Sequence, residues 1–398
     1  MENTNLTLYL EINNSNFVFF VNESDDQNNF KVIYEFKTSA EGIENKRISD
    51  LKKISYVIKE NIYTIEQKLN FTFKEIVLIL DNFDPTFINL GGFKKLNSSQ
   101  VLRENITYIL NTLKSCVDTV EINKAIIHIF NSKFCLDNKK IENLPIGLFG
   151  DFYSHELSFT LLNKNNYKNL NSIFKECNLK IKKILIKSFI QGANLSNKNK
   201  NIDTFFHIKL NENYSKIFYF ENNCLKIENN FSFGTDIIIK DICKITSLKE
   251  KTVKSILNKI DFQEKIFEQE TVNESLFGDD NYRKIKKKLI YDIIFARVKE
   301  ISELILFNNI NFQYFNKICN NVFLEIDSTS QLKCLRTVYK KSFSIKNISN
   351  FEIIDDMTNE SILNTANELV HYGWKKEAIP ISHSKKSLIA RFFDTLFG

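Results

Sequence analysis

The sequence predicts an α/β protein of two lobes, each built from strands that are followed by helices. Three consecutive strands and a helix open the chain, and the same order begins again at Ile202, which suggests an internal duplication. With 398 residues, of which 43% are hydrophobic, the chain is long enough to bury one large bilobed core or several subdomains. The repeat and the length together favour a duplicated architecture.

The first repeat is predicted from four patterns. β-rich runs around a polar turn at Asn13–Asn16 indicate two strands within Leu6–Val21, and the alternating stretch Phe30–Lys37 indicates a third. Apolar residues recur at helical spacing over 48–69, which predicts a long amphipathic helix. The nearly all-apolar run Glu75–Asp81 is typical of a strand that is buried on both faces.

Residues 82–164 differ in character and are interpreted as a small α/β subdomain inserted into the first lobe. Asn97 and Gln100 have the spacing of a capping box, so a helix is predicted over Ser98–Lys114. The other elements predicted around this region are strands at Lys124–Asn131, His155–Leu162 and Ile181–Lys187, and a helix at Asn166–Cys177.

The second repeat opens with a meander and continues as a mostly helical region, Asp236–Phe307. Its other elements are predicted at Ile202–Leu210, Tyr214–Glu221, Cys224–Glu228, Asn320–Asp327, Ser330–Lys341 and Ser361–Tyr372. The predicted domain boundaries are a first-lobe core (1–81 and 165–200), the insertion (82–164), a second-lobe core (201–236 and 308–350), a helical subdomain (237–307), a helix returning to the first lobe (351–374), a linker (375–383) and an amphipathic helix (384–398).

The segment Ser384–Gly398 has an amphipathic pattern. Its apolar residues recur at helical spacing and share one helix face: Leu388, Ile389, Phe392, Phe393, Leu396 and Phe397. Three basic residues lie off that face: Lys385, Lys386 and Arg391. The segment is too short to span a bilayer, so the pattern favours a helix that lies in a membrane surface. A helix docked on the core of the body is the alternative, which the polar, Pro380-containing stretch at 375–383 disfavours.

Composition excludes several classes of function. The net charge is +6 and the charges of both signs are interspersed, which does not indicate a nucleic-acid partner. No apolar run approaches the roughly 18 residues of a membrane-spanning helix. The seven cysteines are scattered without a C-x-x-C pair and are interpreted as reduced thiols. No metal-ligand spacing and no catalytic constellation is visible, so no metal and no catalytic residue is predicted.

Five stretches have the form of a family motif: E-I-N-N-S-N (Glu11–Asn16), the glycine-led entry into the first long helix (Gly42–Leu80), I-H-I-F-N-S-K-F-C-L-D-N (Ile127–Asn138), the following N-L-P-I-G-L-F-G (Asn143–Gly150) and E-L-V-H-Y-G (Glu368–Gly373). Together they resemble FtsA, the actin-like protein of bacterial cell division. Their order covers essentially the whole chain. The resemblance implies the two-lobed actin-like fold with the inserted subdomain called 1C.

The resemblance also implies partners and a location. FtsA ties FtsZ filaments to the cytoplasmic face of the inner membrane at the division site, through an amphipathic helix on anionic lipid. Arg297 and Glu300 resemble the R-x-x-E of the surface that receives the FtsZ C-terminal peptide, with Lys287 nearby. An ordinary surface pair is the alternative for these residues. Self-polymerisation, and contacts of 1C with later division proteins, are implied as well.

The nucleotide motifs depart from the family. Actin-like proteins hold ATP at glycine-rich turns whose amides surround the phosphates. Here the three turns read N-N-S (Asn13–Ser15), H-I-K-L-N-E (His207–Glu212) and L-E-I-D-S-T (Leu324–Thr329), without glycine and with added carboxylates. Four residues stand where matching family residues would: Glu11, Gly234, Asp241 and Lys254. Lys209 offers one compensating charge to a phosphate, and Asn13 and Asn14 could preserve the first turn because asparagine tolerates the left-handed conformation.

These motifs predict weak or absent binding of ATP and magnesium and no ATPase activity. The predicted function is therefore a membrane-anchored adaptor of cell division rather than an enzyme. Two alternatives belong to other classes: an active actin-fold ATPase or sugar kinase, against which the glycine-poor turns speak, and a PilM-like scaffold of pilus assembly. The amphipathic segment at 384–398 discriminates against the pilus scaffold.

Overall fold

Two five-stranded sheets of the same design organise the protein. The computed structural model describes residues 5–13, 15–24, 30–44, 47–81, 83–260, 269–315, 319–327, 333–344, 348 and 350–378. Its strands are β1 (Asn5–Ile12), β2 (Asn16–Ser24), β3 (Phe30–Ser39), β4 (Ile43–Glu44), β5 (Arg47–Ile48), β6 (Glu75–Leu80), β7 (Thr86–Gln100), β8 (Lys124–Leu136), β9 (Lys139–Ile141), β10 (Phe149–Asn163), β11 (Lys180–Ile186), β12 (Phe205–Leu210), β13 (Ser215–Glu221), β14 (Cys224–Phe231), β15 (Asn321–Ile326) and β16 (Asn350–Ile354).

The helices occupy the segments between and after these strands. They are α1 (Leu51–Leu69), α2 (Arg103–Val120), α3 (Lys164–Glu176), α4 (Lys187–Lys198), α5 (Asp236–Thr246), α6 (Glu250–Lys259), α7 (Lys287–Ser302), α8 (Lys333–Ser344) and α9 (Asn359–His371). A π-helical turn at Glu303–Phe307 continues α7. In the part of the chain that the structure describes, none of the helices has the length and apolarity that crossing a membrane requires.

The first sheet has the order β11-β6-β1-β2-β3, with β1 parallel to β6. Residues Ile76–Leu80 of β6 are at most 1% exposed, as expected for a strand buried on both faces. Helix α1 begins where the side chain of Asp50 accepts the amide of Lys53, and it ends at Asn70 in the left-handed conformation. The strand–helix–strand pattern predicted for the opening of the chain is present.

The second sheet repeats this order as β14-β13-β12-β15-β16. The meander β12–β13–β14 is antiparallel, and β15 and β16 add to β12 as parallel strands. The core of this unit is formed by apolar side chains of the sheet and of α5 to α8. The same strand order occurs twice, and in each sheet the first strand runs parallel to the later strand beside it, which confirms the predicted actin-like fold class with its internal duplication.

A third, four-stranded sheet with the order β7-β10-β8-β9 lies in the region predicted as the insertion, and α2 packs against it. The predicted capping box is wrong. Strand β7 continues to Gln100, which pairs with Phe149, and Asn97 has a positive φ within the strand. Helix α2 begins at Arg103 instead, where the side chain of Asn105 accepts the amide of Leu102.

The chain divides into two compact units, the second of which contains 185–371. The predicted boundaries assigned 165–200 and 351–374 to the first lobe, whereas 185–200 and 351–371 cluster with the second unit. The reason is that α4 and α9 pack against each other: the Nδ2 of Asn194 donates to the hydroxyls of Ser361 and Thr365 at 2.9 and 2.8 Å. Of the described residues, 372–378 belong to the first unit.

Candidate functional site

The first of the three predicted phosphate turns is closed by its own side chain. The Oδ1 of Asn13 accepts the amides of Ser15 and Asn16 at 2.9 and 2.8 Å. The Nδ2 of Asn13 lies 3.5 Å from the Oε1 of Glu11, which is 5% exposed on β1. Asn14 lies outside the described residues. The amides of Ser15 and Asn16 are therefore bonded within the turn.

The second turn connects β12 to β13 and packs on the start of α5. The carbonyls of Asn211 and Glu212 accept the amides of Thr235 and Asp236 at 3.0 and 2.9 Å. A Cβ atom on Gly234 would lie 2.2 Å from the Asn211 carbonyl oxygen, so only glycine allows this approach. The match of Gly234 to the family thus has a structural cause that needs no nucleotide.

Lys254 reaches the same turn from α6. Its Nζ lies 3.3 Å from the Oε1 of Glu212 and 2.7 Å from the Oε1 of Glu250. All three side chains are more than two-fifths exposed, so this network contributes little to stability. It nevertheless places two carboxylates around the one lysine of α6 that was predicted to face a nucleotide.

A buried charged cluster lies in the second sheet, where β12 runs parallel to β15. The Nζ of Lys209 donates to the Oε1 of Glu325 at 2.6 Å, and the Nε2 of His207 lies 2.9 Å from the Oε2 of the same carboxylate. The side chains of His207 and Glu325 have no solvent exposure, whereas that of Lys209 is 23% exposed. Both oxygens of the carboxylate are thereby satisfied inside the sheet.

The electrostatics of this cluster favour the ionised carboxylate. Burial alone would raise the pKa of Glu325, but hydrogen bonding and charge from His207 and Lys209 outweigh it and lower that pKa to about 2. Burial alone would lower the pKa of Lys209, and the Glu325 carboxylate raises it above the ordinary lysine value. Lys209, predicted as a compensating charge for phosphate, is neutralised by Glu325.

Asp241 belongs with the predicted partner surface rather than with the turns. Its Oδ2 accepts a short hydrogen bond from the Nε of Arg297, and the NH1 of Arg297 donates to the Oε2 of Glu300 at 2.6 Å. The Asp241 carboxylate also raises the pKa of Arg297. Lys287 pairs separately with Glu270 at 2.7 Å, across the start of α7.

The structure therefore regroups the residues predicted as a nucleotide site. Glu11 and Asn13 are in contact, and Lys254 and Gly234 both border the second turn. Lys209 is paired within the second sheet, where the sequence suggested no partner for it. The third turn is described only as far as Asp327, whose amide donates to the carbonyl of Leu210 at 2.9 Å. Among the described residues, Asn13, Lys209 and Lys254 are thus each engaged by a carboxylate of this protein.

Two features were missed by reading the sequence. The spacing of His207 and Lys209 signals a shared strand face, but the pairing with Glu325 depends on the register of two distant strands. The second feature is the docking of 374–378, of which 375–378 were predicted as the start of a linker (375–383). Glu377 forms an isolated bridge with Phe130, and Ala378 is 4% exposed in the core of the inserted sheet. Residues 379–383 lie outside the described part.

Sequence comparison relates the chain to a protein of cell division. The cell division protein FtsA of Buchnera aphidicola subsp. Schizaphis graminum (strain Sg) is 20% identical over 389 residues, which cover 94% of this chain and 91% of the relative. No protein-family model matches the chain. The relationship to FtsA that the motifs suggested is confirmed.

Solved structures of actin-like proteins align along most of the chain. A PilM–PilN type IV pilus biogenesis complex gives a TM-score of 0.48 at 8% identity, covering 92% of this chain and 95% of the other. MreB5 of Spiroplasma citri bound to ADP gives 0.43 at 10% identity, covering 92% and 96%. Scores below 0.5 decide nothing alone, so the fold rests on the repeated strand order of the two sheets.

Proposed function

Because the chain is a divergent FtsA-like protein with the actin-like fold, we propose that it is a non-enzymatic adaptor that holds FtsZ filaments at the cytoplasmic membrane during cell division. The observation that carries the proposal is the extent of the relationship. It covers 94% of this chain and 91% of FtsA, so it is not confined to one lobe. The comparison therefore favours a whole adaptor over a shared nucleotide-binding module.

The membrane contact is proposed to be Ser384–Gly398. Its apolar face combines leucine, isoleucine and phenylalanine, and basic residues precede it, which suits the surface of an anionic bilayer. This segment lies outside the described residues, so its amphipathic pattern is the support. Peripheral attachment at the division site follows from this contact and from the relationship to FtsA.

The FtsZ contact is proposed to lie on α7 around Arg297, Glu300 and Lys287. A guanidinium binds a carboxylate with two parallel hydrogen bonds, which suits the acidic FtsZ C-terminal peptide. In this structure Asp241 and Glu300 already engage the guanidinium of Arg297. A carboxylate of the peptide must therefore compete with two internal carboxylates, which sets up a test.

We expect Arg297→Glu to weaken binding of an FtsZ C-terminal peptide by at least about tenfold, which is about 1.4 kcal/mol. The change replaces the receiving cation with an anion and gathers like charges beside Asp241. Fluorescence anisotropy of a labelled peptide measures the affinity, and circular dichroism reports the fold. Lys299→Glu makes the same charge change two residues further along α7 and serves as the control.

The competing carboxylate gives the test a second arm. If the peptide displaces Glu300 from Arg297, Glu300→Gln should leave peptide binding unchanged or tighten it, whereas a direct role of Glu300 in holding the peptide predicts weakening. Equal affinities of wild type, Arg297→Glu and Lys299→Glu would remove this surface from the proposal. In that case the FtsZ contact lies elsewhere on the protein.

ATP is proposed to bind weakly or not at all, so the adaptor does not depend on turnover. Isothermal titration with Mg²⁺ and ATP should give a dissociation constant weaker than micromolar, because the amides of the first turn and the cation of Lys209 are already bonded. Asn13→Gly removes the side chain that accepts two of those amides and should tighten binding. Sub-micromolar affinity of the wild type would contradict this expectation.

A further inference from the structure

Residues 374–378 fix the point at which the chain leaves the body. The amide of Asn131 donates to the carbonyl of Lys376 at 2.6 Å, and the amide of Ala378 donates to the carbonyl of Ile129 at 2.8 Å. This segment therefore adds to the edge of β8 as a short strand. The indole of Trp374 is 8% exposed, so the added segment is packed as well as hydrogen-bonded.

A carboxylate on this segment secures it. The Oε2 of Glu377 lies 2.9 Å from the Nζ of Lys183 on β11, and its Oε1 lies 4.0 Å from the Nδ1 of buried His128 on β8. Glu377 thus joins the first sheet and the inserted sheet of the same unit. The exit of the chain is held by side chains from two sheets, and its position relative to the inserted sheet is defined.

An apolar turn lies on the same edge of β8. Strand β9 pairs with β8 at Phe134, four residues from the bridge at Phe130, which is a separation of about 14 Å along the strand. The loop that follows β9 touches the exit directly, because the Nζ of Lys376 donates to the carbonyl of Glu142 at 3.4 Å. The exit and this loop therefore share one side of the inserted sheet.

The loop is ordered by its backbone while its apolar side chains face outward. The amide of Gly147 donates to the carbonyl of Val101 at 2.9 Å, and the amide of Val101 donates to the carbonyl of Leu148 at 2.9 Å. Gly147, which has a φ of +85°, occupies the third position of a type II turn whose first residue is Pro145. The outward residues are Leu144, Ile146, Leu148 and Phe149, exposed by 40, 46, 51 and 69%.

Such a composition is unusual for an exposed turn, whose residues are commonly polar. A contiguous exposed apolar patch marks a surface that contacts a partner or a membrane. Lys139 and Lys140 are exposed on the hairpin that precedes the loop, and lysine suits anionic headgroups. The nearby carboxylate of Asp137 accepts the amides of Asp151 and Phe152, so it is engaged in holding the loop.

We propose that the loop 144–149 inserts into the surface of an anionic bilayer as a second membrane contact beside the amphipathic segment. This inference rests on the proposed function, because the segment at 384–398 brings the body to the membrane. At most about 20 Å of chain can separate Ala378 from Ser384, which is short enough for the loop and the segment to contact one surface. A rigid loop and a tethered segment together fix the orientation of the body, which the segment alone cannot do.

The test places a tryptophan in the loop of the full-length chain. Phe149→Trp in a Trp374→Phe background leaves a single indole, since the chain has one tryptophan. Emission is recorded with phosphatidylcholine vesicles that contain phosphatidylglycerol and bromine-labelled acyl chains. We expect a blue shift and quenching by the brominated lipid. Tyr63→Trp in the same background is the control, because Tyr63 on α1 is 61% exposed and should stay unquenched.

Binding measurements complete the test. Phe149→Glu should weaken vesicle co-sedimentation roughly tenfold, and Tyr63→Glu should leave it unchanged. Should Trp374→Phe disturb the fold, the emission difference between the Phe149→Trp protein and the wild type gives the same information. Quenching at position 149 with the predicted loss of binding supports the proposal.

Three results overturn it. If the protein sediments with vesicles but the tryptophan at 149 is not quenched, the loop does not insert, while the proposed membrane adaptor stands. If the wild type does not sediment at all, the proposed function fails first and the loop contact fails with it. If the indole is buried without vesicles and becomes exposed on truncation before Ser384, the loop receives the amphipathic segment instead of lipid.

Discussion

Replacing Glu325 with alanine should lower the free energy of unfolding by about 3–5 kcal/mol, the typical cost of removing one partner from a buried ion pair. The carboxylate has no solvent exposure and satisfies Lys209 and His207 at the same time. Its removal leaves a largely buried ammonium without its counter-charge and deprives the His207 Nε2 of its partner. Urea denaturation at neutral pH measures the loss.

A matched control separates burial from charge. Glu250→Ala also removes a carboxylate from a lysine, but the Glu250 side chain is 62% exposed, so the change should cost less than about 1 kcal/mol. The double variant Lys209→Met/Glu325→Gln removes the buried pair as a unit and should recover much of the loss. If Glu325→Ala and Glu250→Ala are equally stable, the cluster contributes nothing beyond an ordinary surface pair.

The stabilisation by Glu325 should also depend on pH in a defined direction. Its pKa in the folded protein is about 2, below the ordinary value of 4.5. A lowered carboxylate pKa adds stability that is complete above the ordinary pKa and is lost as the pH falls through the folded one. The stability difference between wild type and Glu325→Gln should therefore shrink between pH 4.5 and pH 2.

Truncation before Ser384 should reduce sedimentation with anionic vesicles to background. Burying the apolar face gains on the order of 1.5–3 kcal/mol for each fully buried side chain, although burial at an interface is partial. Ordering the helix costs about 1–2 kcal/mol per residue, and each basic residue returns about 1 kcal/mol on an anionic leaflet. One segment therefore holds the protein on the vesicle only weakly. A protein that lacks the segment should show no sedimentation above background.

Two variants within the segment distinguish insertion from charge. Phe393→Glu puts a carboxylate on the apolar face and should abolish binding, while Thr395→Glu makes the same charge on the polar face and should weaken it only partly. High salt should weaken the wild type in part, because an apolar face is not screened. Equal sedimentation of the truncated and intact proteins would show that the segment does not reach lipid.

Local patterns predicted the fold well where one periodicity dominated. The apolar spacing over 48–69 gave α1, and the unbroken apolar run at 75–81 gave β6, because burial selects one side-chain period in each. The second meander was recognised because it repeats the first. The start of α2 was misplaced because Asn97 has the chemistry of a cap but lies in a strand whose pairing with β10 decides its conformation.

The arrangement of the candidate site depended on contacts that no local pattern contains. The absence of glycine from the predicted phosphate turns was visible in the sequence, whereas the two amide hydrogen bonds that the side chain of Asn13 accepts were not. Lys209 meets Glu325 only through the register of parallel strands that are more than a hundred residues apart. Glu377 similarly lacks any sequence signal, since its partners Lys183 and His128 are long-range neighbours.

The central claim is that this protein connects FtsZ filaments to a membrane. Its most direct test is the recruitment of fluorescent FtsZ filaments to a supported bilayer containing anionic lipid, followed by total internal reflection microscopy. We predict filaments at the bilayer with the full-length protein, and none with the protein truncated before Ser384 or with FtsZ that lacks its C-terminal peptide. Filaments recruited equally well by the truncated protein, or absent with the full-length protein, would contradict the account.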